Sequence, residues 1–151
     1  MRADVASRVI AAPPDRVFRA FTDPVVLTSW LPPEGMTGQL ERFDASPGGG
    51  FRMRLIYDKA PEGGGKSGED SDLTEVAFVE IDPPHRLVQQ AEFVSDDPRM
   101  AGTMTMTWRF EPRGGGTQVM VRATGVPEGI SAEDHVMGMA SSLANLARAL
   151  E

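Results

Sequence analysis

The chain has 151 residues, is 40 % hydrophobic and 25 % charged, and carries 15 Lys and Arg against 22 Asp and Glu, for a net charge of −7. That length suits a single domain, 1–151, with a sizeable core, and an acidic balance with no basic stripe argues against nucleic acid and anionic membranes as partners. Cysteine is absent, which removes disulfides, thiolate metal sites and a cysteine nucleophile; with no apolar signal core in Met1-Arg2-Ala3-Asp4 and no spanning run, the expected location is the cytoplasm, without membrane insertion.

Alternation of Val5, Ser7 and Val9 with Ala6, Arg8 and Ile10 predicts a first strand. Pro13-Pro14-Asp15 ends it and opens a short helix to about Phe21, with Val17, Phe18 and Phe21 at helical spacing. Thr22-Asp23-Pro24 caps a second short helix carrying Val26, Leu27 and Trp30, and Pro32-Pro33-Glu34-Gly35 stops it. Strands follow at Gly38–Asp44 and through Phe51, Met53, Leu55 and Tyr57, joined by Pro47-Gly48-Gly49-Gly50. Asp58–Asp72, rich in Gly, Glu and Ser, reads as a hairpin loop. Further strands are predicted at Thr74–Ile81, Arg86–Val94 and Thr103–Phe110. In the last of these Met104, Met106, Trp108 and Phe110 share a face. Gly114-Gly115-Gly116 turns into a strand with Thr117, Val119, Val121 and Ala123 on one side. From Ser131, a good N-cap, to Glu151 the chain reads as one long amphipathic helix, its inner stripe formed by Val136, Met139, Ala140, Leu143, Leu146, Ala147 and Leu150.

The expected fold is therefore α+β: an antiparallel sheet of six to seven strands closed by a long C-terminal helix, with two short helices after the first strand. A lone helix must bury its stripe against the sheet, and if the sheet curves, helix and sheet enclose a cavity. Nine methionines are many for this length, and Met53, Met104, Met106 and Met139 fall on inner faces, with Leu143 on the facing helix. Met-rich walls adapt to varied ligands; the competing reading is plain core. Trp30, Phe51, Phe78 and Trp108 are aromatic candidates for the same wall, with the same alternative. Gln89 shares a face with Leu87, Ala91 and Phe93, and reads as an inward polar group able to orient a ligand.

His135, in the first turn of the last helix, is the acid–base candidate, with a rim histidine as the alternative. His85 sits in a Pro-Pro-His-Arg turn and reads as structural. Two histidines so placed make no metal set. The string Gly63-Gly64-Gly65-Lys66-Ser67-Gly68 fits a phosphate-loop pattern formally, but a strand follows where a helix N-terminus is needed. No G-x-S-x-G is present. No catalytic residue, cofactor or metal is assigned.

Several strings together resemble one family: Ala11-Ala12-Pro13-Pro14-Asp15-Arg16-Val17-Phe18-Arg19-Ala20-Phe21-Thr22-Asp23-Pro24; Trp30 before Pro-Glu-Gly-Met-Thr-Gly; Phe43-Asp44 with Pro47-Gly48-Gly49 and Phe51-Arg52; Ile81-Asp82-Pro83-Pro84-His85-Arg86-Leu87-Val88; and Gly116-Thr117 followed by a helix with Gly138. Their order resembles the START-like superfamily with the helix-grip fold, also called SRPBCC. The nearest branch is named after the C-terminal domain of the activator of heat-shock protein 90 ATPase. The resemblance implies a sheet curved around the last helix, a hydrophobic or aromatic small-molecule ligand, and a short helix, ended by Trp30, that caps the cavity mouth. It also leaves room for a cyclase- or hydrolase-like enzyme, a homodimer, or a chaperone partner. That last activity belongs, in the named relatives, to a longer chain with a further N-terminal domain. Two positions depart from the family pattern: Met139 follows the helix glycine where Trp is usual, and Ser46 stands where Arg is frequent. A thioether is slimmer than an indole, so the resemblance implies an enlarged or reshaped cavity.

Overall fold

The computed structural model describes residues 2–58 and 71–151. Most of the loop predicted over 58–72, and all of Gly63–Gly68, lies outside the described residues.

Ala3–Ile10 forms β1, and Pro14–Thr22 and Pro24–Trp30 form α1 and α2. Pro occupies the first turn of each helix, where its missing N–H costs nothing. Asp23 caps α2, its carboxylate accepting from the N–H groups of Val25 at 2.9 Å and Val26 at 3.3 Å. Six strands follow: β2 Met36–Asp44, β3 Gly50–Tyr57, β4 Ser71–Asp82, β5 Arg86–Phe93, β6 Met104–Arg113 and β7 Gly116–Thr124. The last helix, α3, runs Ala132–Leu150, with Ser131 Oγ accepting from the Asp134 N–H at 3.1 Å.

All seven strands join one sheet in the order β1-β7-β6-β5-β4-β3-β2, every neighbour antiparallel. From β2 to β7 this is a meander. Only β1 is out of sequence: α1 and α2 carry the chain from it to the opposite edge of the sheet. The register slips between Leu40 and Arg42 in β2 and between Phe78 and Glu80 in β4. Such bulges add bend and twist, and the sheet curves around α3.

The fold expected from the sequence is the fold observed, with shifted ends. Strand β2 starts at Met36 rather than Gly38, and β4 at Ser71 rather than Thr74. Thr103 lies before β6, which continues to Arg113. On α3, Ala140 is exposed and Ser142 is buried, the reverse of the predicted stripe. Ser142 tolerates burial because its Oγ donates to the Leu31 carbonyl at 2.7 Å.

One end of the space between helix and sheet is filled by rings. Phe21 meets Trp30, Trp108 and Phe110 edge-on at centroid distances of 4.7, 4.8 and 5.1 Å, and Phe18 packs on Phe110 at 5.2 Å. Edge-to-face pairs of this kind add to the energy of their burial. Val17, Leu27, Leu143 and Leu146 complete this core.

A candidate ligand cavity beneath the C-terminal helix

Beyond Trp108 the filling stops. A cavity of about 250 Å³ lies between α3 and strands β3 to β6. Its wall follows strand periodicity. Phe51, Met53 and Leu55 come from β3; Asp72, Thr74 and Val76 from β4; Gln89, Ala91 and Phe93 from β5; Met104, Met106 and Trp108 from β6. Each set takes alternate residues, the face a strand turns inward. The helix contributes Asp134, His135, Gly138, Met139 and Ser142, which recur with its turns. Leu31, Pro33, Met36 and Ile130 close the ends. Ala91 and Gly138 are the small residues of this wall. A Cβ added at Gly138 would meet nothing within 4 Å, so the helix leaves space where most residues would fill it.

Of the residues singled out from the sequence, Phe51, Met53, Gln89, Met104, Met106, Trp108, His135 and Met139 line this cavity. Trp30, Phe78 and Leu143 do not. Trp30 is fully buried, donates its Nε1–H to the Ala20 carbonyl at 2.9 Å, and lies behind the wall in the ring cluster. The residues just after it, Leu31, Pro33 and Met36, take the place expected of it. Phe78 packs against Phe43 and Phe51. Leu143, one position past the lining residue Ser142, turns into the filled core.

Two polar groups of the wall have fixed orientations. Gln89 is 6 % exposed, and Trp108 Nε1 donates to its Oε1 at 3.0 Å. An indole nitrogen only donates, so Trp108 holds the amide oxygen and leaves the amide NH₂ for the cavity side. His135 Nδ1 lies 2.8 Å from Asp4 Oδ2. Asp4 is 2 % exposed, and Arg2 grips it twice, Nε to Oδ1 at 3.1 Å and Nη2 to Oδ2 at 2.9 Å. The Arg2 hydrogen bonds hold the Asp4 carboxyl below its ordinary range, against the opposing cost of burial, and His135 adds to the effect. A carboxylate only accepts, so Nδ1 carries the proton and Nε2 is the acceptor of the neutral ring.

A third pair is tied up within the protein. Tyr57 donates its hydroxyl to Asp72 Oδ2 at 2.8 Å. Burial, and then the neighbouring carboxylate, push the phenol well above its ordinary value. Outside the cavity lining, Asn145 Nδ2 donates to the carbonyls of Trp30 and Pro32 at 3.2 and 2.8 Å. With Ser142 it clasps α3 to the end of α2.

Arg2, Asp4, Tyr57 and Asp72 had not been singled out. Asp4 carried a signal, since it falls in phase with Ala6 and Ile10 on the inward side of β1. Its partner His135 is 131 residues away, and no local pattern links them. Among the described residues no Lys or Arg lines the cavity. Among the described residues no three His, Asp or Glu side chains group as a metal site would require, and no helix is long and apolar enough to cross a membrane.

This architecture has close relatives. The family model described as Activator of Hsp90 ATPase homolog 1-like protein matches residues 11–151. The chain belongs to this family. It thereby joins the START-like superfamily, whose helix-grip arrangement the sheet and α3 reproduce. A crystal structure of a Chromobacterium violaceum protein is 30 % identical, covers 99 % of this chain and 96 % of its own, and superposes with a TM-score of 0.87. A Rhizobium loti protein is 25 % identical over 99 % and 96 % of the two chains, with a TM-score of 0.76. A Mycobacterium smegmatis protein at 18 % identity and TM-score 0.76 shares the fold. Among curated proteins none matches the sequence.

Proposed function

We propose that this family member is a binding module for a compact apolar or aromatic small molecule, held between α3 and the sheet. The observation that carries the reading is the cavity itself, with apolar side chains drawn from four adjacent strands. At about 250 Å³ it falls just below the range of about 300–1,000 Å³ common for ligand pockets, so the ligand is small, of one or two rings. Burial of apolar surface, at about 25 cal/mol per Å², supplies the affinity left after ordering costs. The methionines give the wall some adaptability. The acidic, cysteine-free composition fits a cytoplasmic setting.

A thermal-shift screen of one- and two-ring compounds tests this. A ligand that binds only the folded state adds about 2.7 kcal/mol of stability at a hundredfold excess over its dissociation constant. The expected result is a raised Tm for some aromatic compounds, lost in Met139→Trp, whose indole would occupy the cavity. A flat response from well-folded protein contradicts the reading. The family description favours a second reading, a chaperone ATPase as partner. Stimulation of such an ATPase by this chain, together with a flat ligand screen, would support it instead.

A further inference from the structure

The cavity wall carries two hydrogen-bonding groups that the protein orients and does not itself use. Among the described residues neither the Gln89 NH₂ nor His135 Nε2 has a protein partner, although both side chains line the cavity. Trp108 takes the oxygen of Gln89, so what faces the cavity is a donor. Asp4, gripped by Arg2, takes the Nδ1 proton, so what the neutral imidazole offers is an acceptor. Both side chains are largely enclosed, Gln89 at 6 % and His135 at 13 % exposure, and a ligand entering the cavity can offer an acceptor to Gln89 and a donor to His135.

Ligand chemistry follows from that pairing. A carboxylate has no proton to give His135, and Asp134 in the same wall would repel it. An ammonium has no lone pair for Gln89. A hydroxyl group both donates and accepts. Resting on the binding role proposed above, we infer that the ligand is a hydroxylated aromatic compound of the phenol or naphthol class. Its O–H is donated to His135 Nε2, and a ligand oxygen accepts from the Gln89 amide. Asp4 and Arg2 are positioning residues: they fix which imidazole nitrogen carries the proton and touch no ligand.

The test compares naphthalene, 2-naphthol and 2-methoxynaphthalene by calorimetry in mildly alkaline buffer. The three share the apolar body and differ in the O–H. The expected order has 2-naphthol binding about five- to tenfold tighter than either of the others, the span of one net hydrogen bond. In His135→Phe this preference disappears, and 2-naphthol binds no more tightly than 2-methoxynaphthalene. Long-range ¹⁵N NMR of the imidazole gives a readout that does not depend on any variant folding. In the wild type the Nδ1–H tautomer dominates; in Asp4→Asn the Nε2–H tautomer gains population. Equal binding of all three compounds overturns the inference while sparing the cavity reading. A dominant Nε2–H tautomer in the wild type overturns it too. Failure of every compound to bind defeats both.

Discussion

Tyr57 is the only tyrosine in the chain, which makes its half-buried contact with Asp72 directly measurable. Both burial and the carboxylate it donates to favour the neutral phenol, so its folded-state pKa is raised. The stability linked to this shift is fully present below the unfolded value of about 10 and is lost as pH climbs through the folded one. An alkaline absorbance titration should therefore show phenolate forming late, with a midpoint well above 10, or only as the protein unfolds. A midpoint at or below 10 would show that the Tyr57–Asp72 contact does not hold in solution. At this scale the sequence was legible where one strand's alternation decides the answer. Gln89, Met104, Met106 and Trp108 were placed by period two alone. It was opaque where two distant segments meet, as Asp4 and His135 do. Trp30 shows a further limit: a core ring and a wall ring have the same pattern, and only the neighbours separate them.

Helix α3 is the element on which the cavity depends. Its filled half, Leu143, Leu146, Ala147 and Leu150, follows the predicted stripe. Nearer its N-terminus the stripe breaks at Gly138, in ordinary helical backbone, where a side chain would have open space. Glycine inside a helix costs about 0.5–1 kcal/mol relative to alanine. Gly138→Ala should therefore stabilise the fold by about that amount in urea denaturation while narrowing the cavity and weakening ligand binding. A loss of stability would mean that the methyl group meets a neighbour and that the space is not there. The exchange of Ala140 for Ser142 on the buried face could not be read from hydropathy. It depends on the Leu31 carbonyl, which becomes available only when α2 docks against α3.

At the scale of the whole molecule, element order made the architecture legible. One strand, two short helices, a meander and a long helix leave few ways to bury that helix, and the sheet wraps it as expected. The volume left inside was not legible, because it depends on where Ala91 and Gly138 lie relative to each other across the layers. Trp108 marks the boundary, with one side of its surroundings in the ring cluster and the other on the cavity wall. The methionines distinguish the cavity from the rest of the molecule. Met36, Met53, Met104, Met106 and Met139 line the cavity, whereas Met100, Met120 and Met137 do not. The most direct measurement is a titration of methyl-¹³C-methionine protein with 2-naphthol, followed by NMR. The cavity methyls are expected to shift together and saturate at one dissociation constant while those of Met100, Met120 and Met137 stay in place. Unmoved cavity methyls, or shifts spread over all the methionines, would contradict a ligand site beneath α3.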